Sequence, residues 1–128
     1  MKKILLDTNF LLIPPTLHVD IFSEIERICD FSYELCVLDR SMEELENIAE
    51  RGKTKEAKAA SIALQLARHK HLKVLKTETH KNADTLIVET ANSADFLVAT
   101  QDMALKRKLK QNKVPLIYLR QKMYLKIG

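Results

Sequence analysis

The sequence predicts an α/β domain built on a mostly parallel, five-stranded sheet. Short apolar runs alternate along the chain with longer stretches of helical periodicity, as they do where strands and crossover helices follow one another. The length, 128 residues with 46% apolar side chains, suits a single domain with its own core. Only two glycines and three prolines leave little room for a loop-rich or disordered segment, and no linker or repeat interrupts the pattern.

The elements read in order. Residues 3–6 form a buried apolar strand, and Pro14-Pro15 breaks the chain after it. A helix over about 19–29 places Ile21, Phe22, Ile25 and Ile28 on one face. Residues 34–38 form the second strand. Ser41 opens a helix carrying Met42, Leu45, Ile48 and Ala49, and Gly52 ends it. From 54 to 71 the chain is rich in strong helix formers, with Ile62, Leu66 and the alanines as an apolar stripe. A short strand at 72–75, a helix over 82–92, a strand at 96–100, a helix over 103–111 and a strand at 114–119 complete five strands and five helices. Pro115, near the start of the last strand, suits an edge position. The tail from 121 to 128 carries no decisive pattern.

Several chemistries are excluded. Glycine is too scarce for a phosphate-cradling loop, and neither GxGxxG nor a P-loop occurs. His18, His69, His71 and His80 show no zinc spacing. No Ser or Cys stands beside a His–acid pair. The absence of Trp argues against a base-stacking platform. Cys29 and Cys36 fit no metal or redox spacing, and as free thiols they indicate a reducing compartment. With no signal-peptide pattern and no apolar run near the ~20 residues of a membrane span, the expectation is a soluble, cytoplasmic protein with no membrane contact. The net charge of +4 favours anionic partners.

Against that basic background the acids stand out. Asp7 directly follows Ile4-Leu5-Leu6, and Asp102 comes just past Phe96-Leu97-Val98-Ala99. The C-terminal edge of an open α/β sheet is where ligands bind, and an ionised carboxylate at the end of a buried strand needs a partner. Each acid also has an ordinary structural explanation. Asp7 could bond nearby backbone N–H groups in Asp7-Thr8-Asn9, and Asp102 could cap the following helix. Glu44 completes a capping box with Ser41, and Glu43 beside it competes for any functional role. Asp84 suits the positive end of its helix. Asn9 could orient Asp7, hold a metal-bound water or be a turn residue, Thr100 could bond Asp102 or a water, and Asp95, before the Phe96 strand, could lie close to the site. Lys106, Arg107, Lys108 and Lys110 form a basic helix face that is either solvated or in contact with phosphates, with Arg120 and Lys122 further along. Asp7 and Asp102 meet only if their strands are neighbours.

Taken together, LLDTNFLL, the acid in EELE, the aspartate in NADTLIVETA, and FLVATQDMALKRKL followed by VPLIYLR resemble the PIN-domain nucleases over nearly the whole chain. The resemblance implies a three-layer α/β/α sandwich whose four acids, here Asp7, Glu44, Asp84 and Asp102, bind divalent metal, Mg2+ or Mn2+, and cut RNA. It implies supporting roles for Asp95 and Thr100; Asn9 is a further candidate for support, and Lys106, Arg107 and Lys110 are candidates for RNA contact because positive charge must bring the substrate strand to the acids. The chain looks most like the archaeal and eukaryotic branch that processes small-subunit ribosomal RNA, with a ribosomal RNA precursor as substrate. A homodimer and ribosome-assembly proteins are the further partners it suggests. The alternatives are a catalytically silent RNA- or protein-docking module and a toxin-type ribonuclease of a toxin–antitoxin pair.

Overall fold

The structure, a computed structural model, describes residues 1–77 and 80–128. It holds six strands and seven helices among the described residues. Strand β1 (Lys2–Leu6) is followed by two short helices, α1 (Thr8–Leu11) and α2 (Ile13–Leu17), and by α3 (Ile21–Ile28). Next come β2 (Tyr33–Leu38), α4 (Asp39–Ala49), α5 (Lys55–His69), β3 (Lys73–Leu75) and α6 (Ala83–Thr90). The chain finishes with β4 (Phe96–Ala99), α7 (Met103–Gln111), β5 (Leu116–Arg120) and β6 (Tyr124–Ile127). The sheet order is β3-β2-β1-β4-β5-β6, parallel except for β6.

Alternation along the strands divides the core. Ile4, Leu6, Val37, Leu97, Ala99 and Ile117 face one layer, packed by residues of α1 to α5. Leu5, Cys36, Leu38, Val98 and Leu116 face the other, packed by Leu86 and Ile87 of α6 and Leu105 and Leu109 of α7. Successive side chains on a strand point to opposite faces, so a central strand covered on both reads as an unbroken apolar run. The result is the expected three-layer α/β/α sandwich.

The differences from the sequence expectation are local. Pro14 and Pro15 start α2 rather than break the chain, because first-turn N–H groups have no intrahelical acceptor to lose. Helix α4 begins at Asp39, so Ser41 is its third residue and no capping box forms. It ends at Ala49, and Gly52 adopts φ 101° in the turn that leads to Thr54, the N-cap of α5. On α5 the alanines Ala57, Ala60, Ala63 and Ala67 face the core, while Ile62 is exposed.

The tail forms a sixth strand, which places β5 inside the sheet. Pro115 precedes β5, and its carbonyl accepts the Val98 N–H at 3.1 Å. Helix α3 holds β6 in place from the side. Glu24 Oε1 accepts the Leu125 N–H at 3.0 Å, and Arg27, paired with Glu24 at 2.9 Å, donates to the Leu125 carbonyl at 3.2 Å. The Leu125 side chain is fully buried between them. Leu125→Ala is expected to destabilise the domain by about 2–5 kcal/mol. Urea unfolding monitored by circular dichroism measures it, and a loss within about 0.5 kcal/mol, the usual range for a surface change, would mark β6 as peripheral.

Candidate active site

Strands β1 and β4 are parallel neighbours, with Leu6 opposite Ala99. The ladder continues one step further, where the Asp7 N–H donates to the Ala99 carbonyl at 3.0 Å. Asp7 and Thr100 therefore lie side by side at the C-terminal edge of the sheet. Both are buried, Asp7 at 6% exposure and Thr100 at 0%. Asp7 Oδ1 accepts the Thr8 N–H at 2.8 Å, and Oδ2 accepts the Thr100 hydroxyl at 2.9 Å. The same hydroxyl accepts the Asp102 N–H at 3.1 Å. Thr100 thus ties Asp7 to the backbone of Asp102.

Asp102 is the N-cap of α7. Its Oδ1 accepts the Leu105 N–H at 3.0 Å, and its other oxygen has no hydrogen-bond partner among the described residues. The capping and functional readings are compatible, because capping occupies only one carboxylate oxygen. Asp84 stands in the first turn of α6, which Asn82 caps. Glu44 lies on α4, open to solvent on one side.

The four acids share one electrostatic field. Burial pushes the Asp7 carboxyl above its usual range. The Thr100 hydroxyl and the Thr8 amide pull it down, and the negative charges of Asp84 and Asp102 add to the rise. Glu44 is also raised, first by the protein packed around its carboxyl and then by the charges of Asp7 and Asp84. Arg40 opposes that rise. The charge of Asp7 thus reaches Glu44 of the EELE run.

The grouping is loose. Among the described residues no three His, Cys, Asp or Glu side chains stand close enough to hold a metal ion as they are. Like charges sharing a site hold one another apart. The donor set, carboxylate oxygens without sulfur or imidazole, fits hard cations such as Mg2+, which keep several waters and so bridge well-spaced ligands.

Of the supporting residues, one falls elsewhere. Asp95 lies at the opposite edge of the sheet, where its carbonyl accepts the Lys3 N–H at 2.7 Å just before β4 begins. In a parallel sheet, a residue preceding a strand and one following it end up at opposite edges. Asn9 is exposed and, among the described residues, makes no hydrogen bond to Asp7. Lys106, Arg107 and Lys110 follow Asp102 along α7, roughly 6–12 Å from the start of the helix at 1.5 Å per residue. Arg107 and Lys110 are exposed. Lys106 packs its ammonium 5.1 Å from the Tyr118 ring centroid, and burial, then the Lys110 charge, lowers its pKa. Arg120 ends β5 at the same sheet edge, and Lys122 lies in the turn after it.

Three residues with no assigned role in the sequence reading shape the surroundings. Asp39 follows Leu35-Cys36-Val37-Leu38, the same carboxylate-after-apolar-run signal that picked out Asp7. Its carboxylate accepts the Thr77 hydroxyl at 2.6 Å, the Thr77 N–H at 3.0 Å and the Arg40 N–H at 2.8 Å. Burial opposes its ionisation, but these bonds outweigh it and hold the carboxyl below its usual range. Arg40 reaches from α4 to the Lys81 carbonyl at 2.9 Å, tying α4 to the segment before α6. Gln101 Oε1 accepts the Leu119 N–H at 2.6 Å, continuing the β4–β5 ladder beyond the end of β4. Beside the acids, a groove of about 430 Å3 is lined by Arg40, Glu44, Asn47, Thr77 and His80, among others.

Comparison with known proteins agrees with this architecture. A family model described as a PIN like domain matches residues 4–122. Ribonuclease VapC4 of Methanocaldococcus jannaschii is 31% identical over 127 residues, which span 99% of this chain and 97% of the relative. The solved structure of the PIN domain endonuclease Utp24 matches with a TM-score of 0.81 and 23% identity, over 98% of this chain and 90% of that one. At that identity the likeness concerns the fold.

The raised Asp7 pKa has a consequence for stability. An acid with a higher pKa folded than unfolded binds more protons in the folded state. Stability therefore falls as pH climbs from the ordinary value of 3.8 through the raised one. Asp7→Asn keeps the acceptor for Thr8 and removes the charge. In buffer free of divalent cations it is expected to be more stable than wild type near neutral pH by about 1 kcal/mol, a rise in Tm of about 4 °C. The advantage should fade toward pH 4 and below. Calorimetry across pH tests this, and a variant less stable than wild type throughout would overturn it.

Proposed function

The chain belongs to the PIN-like domain family, and from that premise we propose that it is a divalent-metal-dependent endoribonuclease acting in ribosomal RNA processing. The observation that carries the proposal is Asp7, buried at the C-terminal edge of the sheet and hydrogen-bonded to Thr100, which in turn accepts the Asp102 N–H. The charges of Asp84 and Asp102 act on Asp7, and those of Asp7 and Asp84 on Glu44. The likeness to Ribonuclease VapC4 supports RNA as the substrate. The VPLIYLR and ATQDMALKRKL motifs support the ribosomal branch.

In this reading the four carboxylates hold Mg2+ or Mn2+, which, when bound, supplies Lewis acidity to the scissile phosphate and lowers the pKa of a water. Thr100 and the Thr8 amide fix both oxygens of Asp7, so little side-chain freedom is lost on ligand binding. The capped Asp102 offers its remaining oxygen. Lys106, Arg107 and Lys110, on the helix that Asp102 begins, counter the negative charge of the RNA strand and lead it toward the acids. The groove past Glu44, with Arg40 and His80 on its wall, takes the continuing strand. A flexible single-stranded segment fits such an open site better than a duplex.

A toxin-type ribonuclease is the second reading, and it draws on the identity to Ribonuclease VapC4. Growth arrest on expression of wild type but not of Asp7→Asn would favour it. Accumulation of unprocessed ribosomal RNA on depletion would favour the first.

Two outcomes are expected in vitro. Asp7→Asn and Asp102→Asn should each lower the cleavage of a model single-stranded RNA by Mn2+-loaded protein on the order of a thousandfold. That corresponds to about 4 kcal/mol of lost transition-state stabilisation. Chelation by EDTA should abolish cleavage by wild type, and cleavage by Asp7→Asn at the wild-type rate would sink the proposal. Lys110→Ala should weaken RNA binding across sequences and flatten the salt dependence of log Kd by a slope of about 1. Fluorescence anisotropy over a salt series reads it, and an unchanged slope would remove Lys110 from the RNA path.

A further inference from the structure

Thr8 is buried at 4% exposure, yet its hydroxyl has no hydrogen-bond partner among the described residues. A buried hydroxyl left unpaired is destabilising, so its presence asks for a reason. Its position suggests one. Thr8 directly follows Asp7, and its backbone N–H already donates to Asp7 Oδ1 at 2.8 Å. Helix α1, which Thr8 begins, packs against α4, which carries Glu44. The Thr8 hydroxyl makes no hydrogen bond to Glu44, and of the groups that act on the Glu44 carboxyl it exerts the smallest pull, toward ionisation. Thr8 thus bonds Asp7 through its backbone and keeps an unpaired hydroxyl on the helix that packs against α4.

We propose that Thr8 is a positioning residue whose hydroxyl donates to the Glu44 carboxylate as Glu44 turns to share a divalent cation with Asp7. This rests on the metal-dependent reading above. The turn gives the orphaned hydroxyl its acceptor, and a hydrogen bond to an ionised carboxylate is roughly twice as strong as a neutral one. The β-branched side chain is stiff about χ1, so the hydroxyl is aimed in advance. The hydroxyl is therefore unpaired while Glu44 faces solvent and satisfied when Glu44 faces the ion.

Mn2+ binding by the full chain tests the proposal, read as free Mn2+ by electron paramagnetic resonance, with no RNA and no turnover. Thr8→Val keeps the shape and removes the donor. It is expected to bind Mn2+ about tenfold more weakly, the lower end of the 10- to 100-fold loss typical of groups that orient ligands. Its Tm without metal should be no lower than that of wild type, because an unpaired buried hydroxyl has gone. Thr8→Ser restores the donor and should bind Mn2+ within about twofold of wild type. Thr8→Ala, free of any crowding from the valine methyl, should show the same loss as Thr8→Val. Full Mn2+ affinity in Thr8→Val or Thr8→Ala, with affinity lost in Asp7→Asn, overturns the role of Thr8 and leaves the metal site standing. Equal Mn2+ binding by wild type and Asp7→Asn overturns both. A loss in Thr8→Ser as deep as in Thr8→Val assigns the effect to packing and also overturns the role.

Discussion

A carboxylate inside a protein must be given hydrogen bonds or a counter-ion, and at Asp7 that requirement reaches through the whole sheet. Its two oxygens are held by donors from different places, the amide of Thr8 next in sequence and the hydroxyl of Thr100, 93 residues away. The second donor arrives only because β1 and β4 are parallel neighbours with Leu6 opposite Ala99. A register slip of one residue would turn Leu5 and Val98 onto the wrong faces and leave Asp7 without its partner. The apolar layers that fix the register also fix the site. The charge that makes Asp7 useful opposes the packing that places it.

The rest of the cluster is arranged so that this opposition is tolerable. Asp84 and Asp102 sit at the starts of helices longer than one turn, where exposed N–H groups and the helix dipole favour negative charge. Glu44 keeps one side in water. Arg40 stands near it and joins α4 to the chain before α6. The lysines of α7 lie further along the helix that Asp102 begins, and among the described residues no ion pair joins them to the acids. Keeping the acids and the basic residues unpaired leaves both free for the roles proposed above.

Much of this was legible in the sequence, and the omissions have physical causes. Asp7 and Asp102 were visible because strands buried on both faces read as apolar runs, and a carboxylate at their end is conspicuous. Their adjacency was not visible, since sheet order is decided by crossovers rather than by local pattern. Asp95 misleads for a related reason: closeness to β4 in sequence says nothing about which edge a residue reaches unless strand direction is applied. The Ser41–Glu44 pattern fits a capping box that does not form, because Asp39 begins the helix two residues earlier and is engaged by Thr77. Strand β6 escaped notice because Leu125 is its only buried residue, and what holds it comes from Glu24 and Arg27, about 100 residues earlier in the chain. Thr8 carried no sequence signal of its own, and only its burial without a hydrogen-bond partner for its hydroxyl among the described residues set it apart.

The outermost strands of the sheet, β3 and β6, are three and four residues long and present exposed Lys73 and Lys126. Short, lysine-bearing margins are poor templates for strand addition from another molecule. The unpaired backbone groups at these two margins are thus short in extent and flanked by charge, which discourages edge-to-edge aggregation in a concentrated solution of the protein.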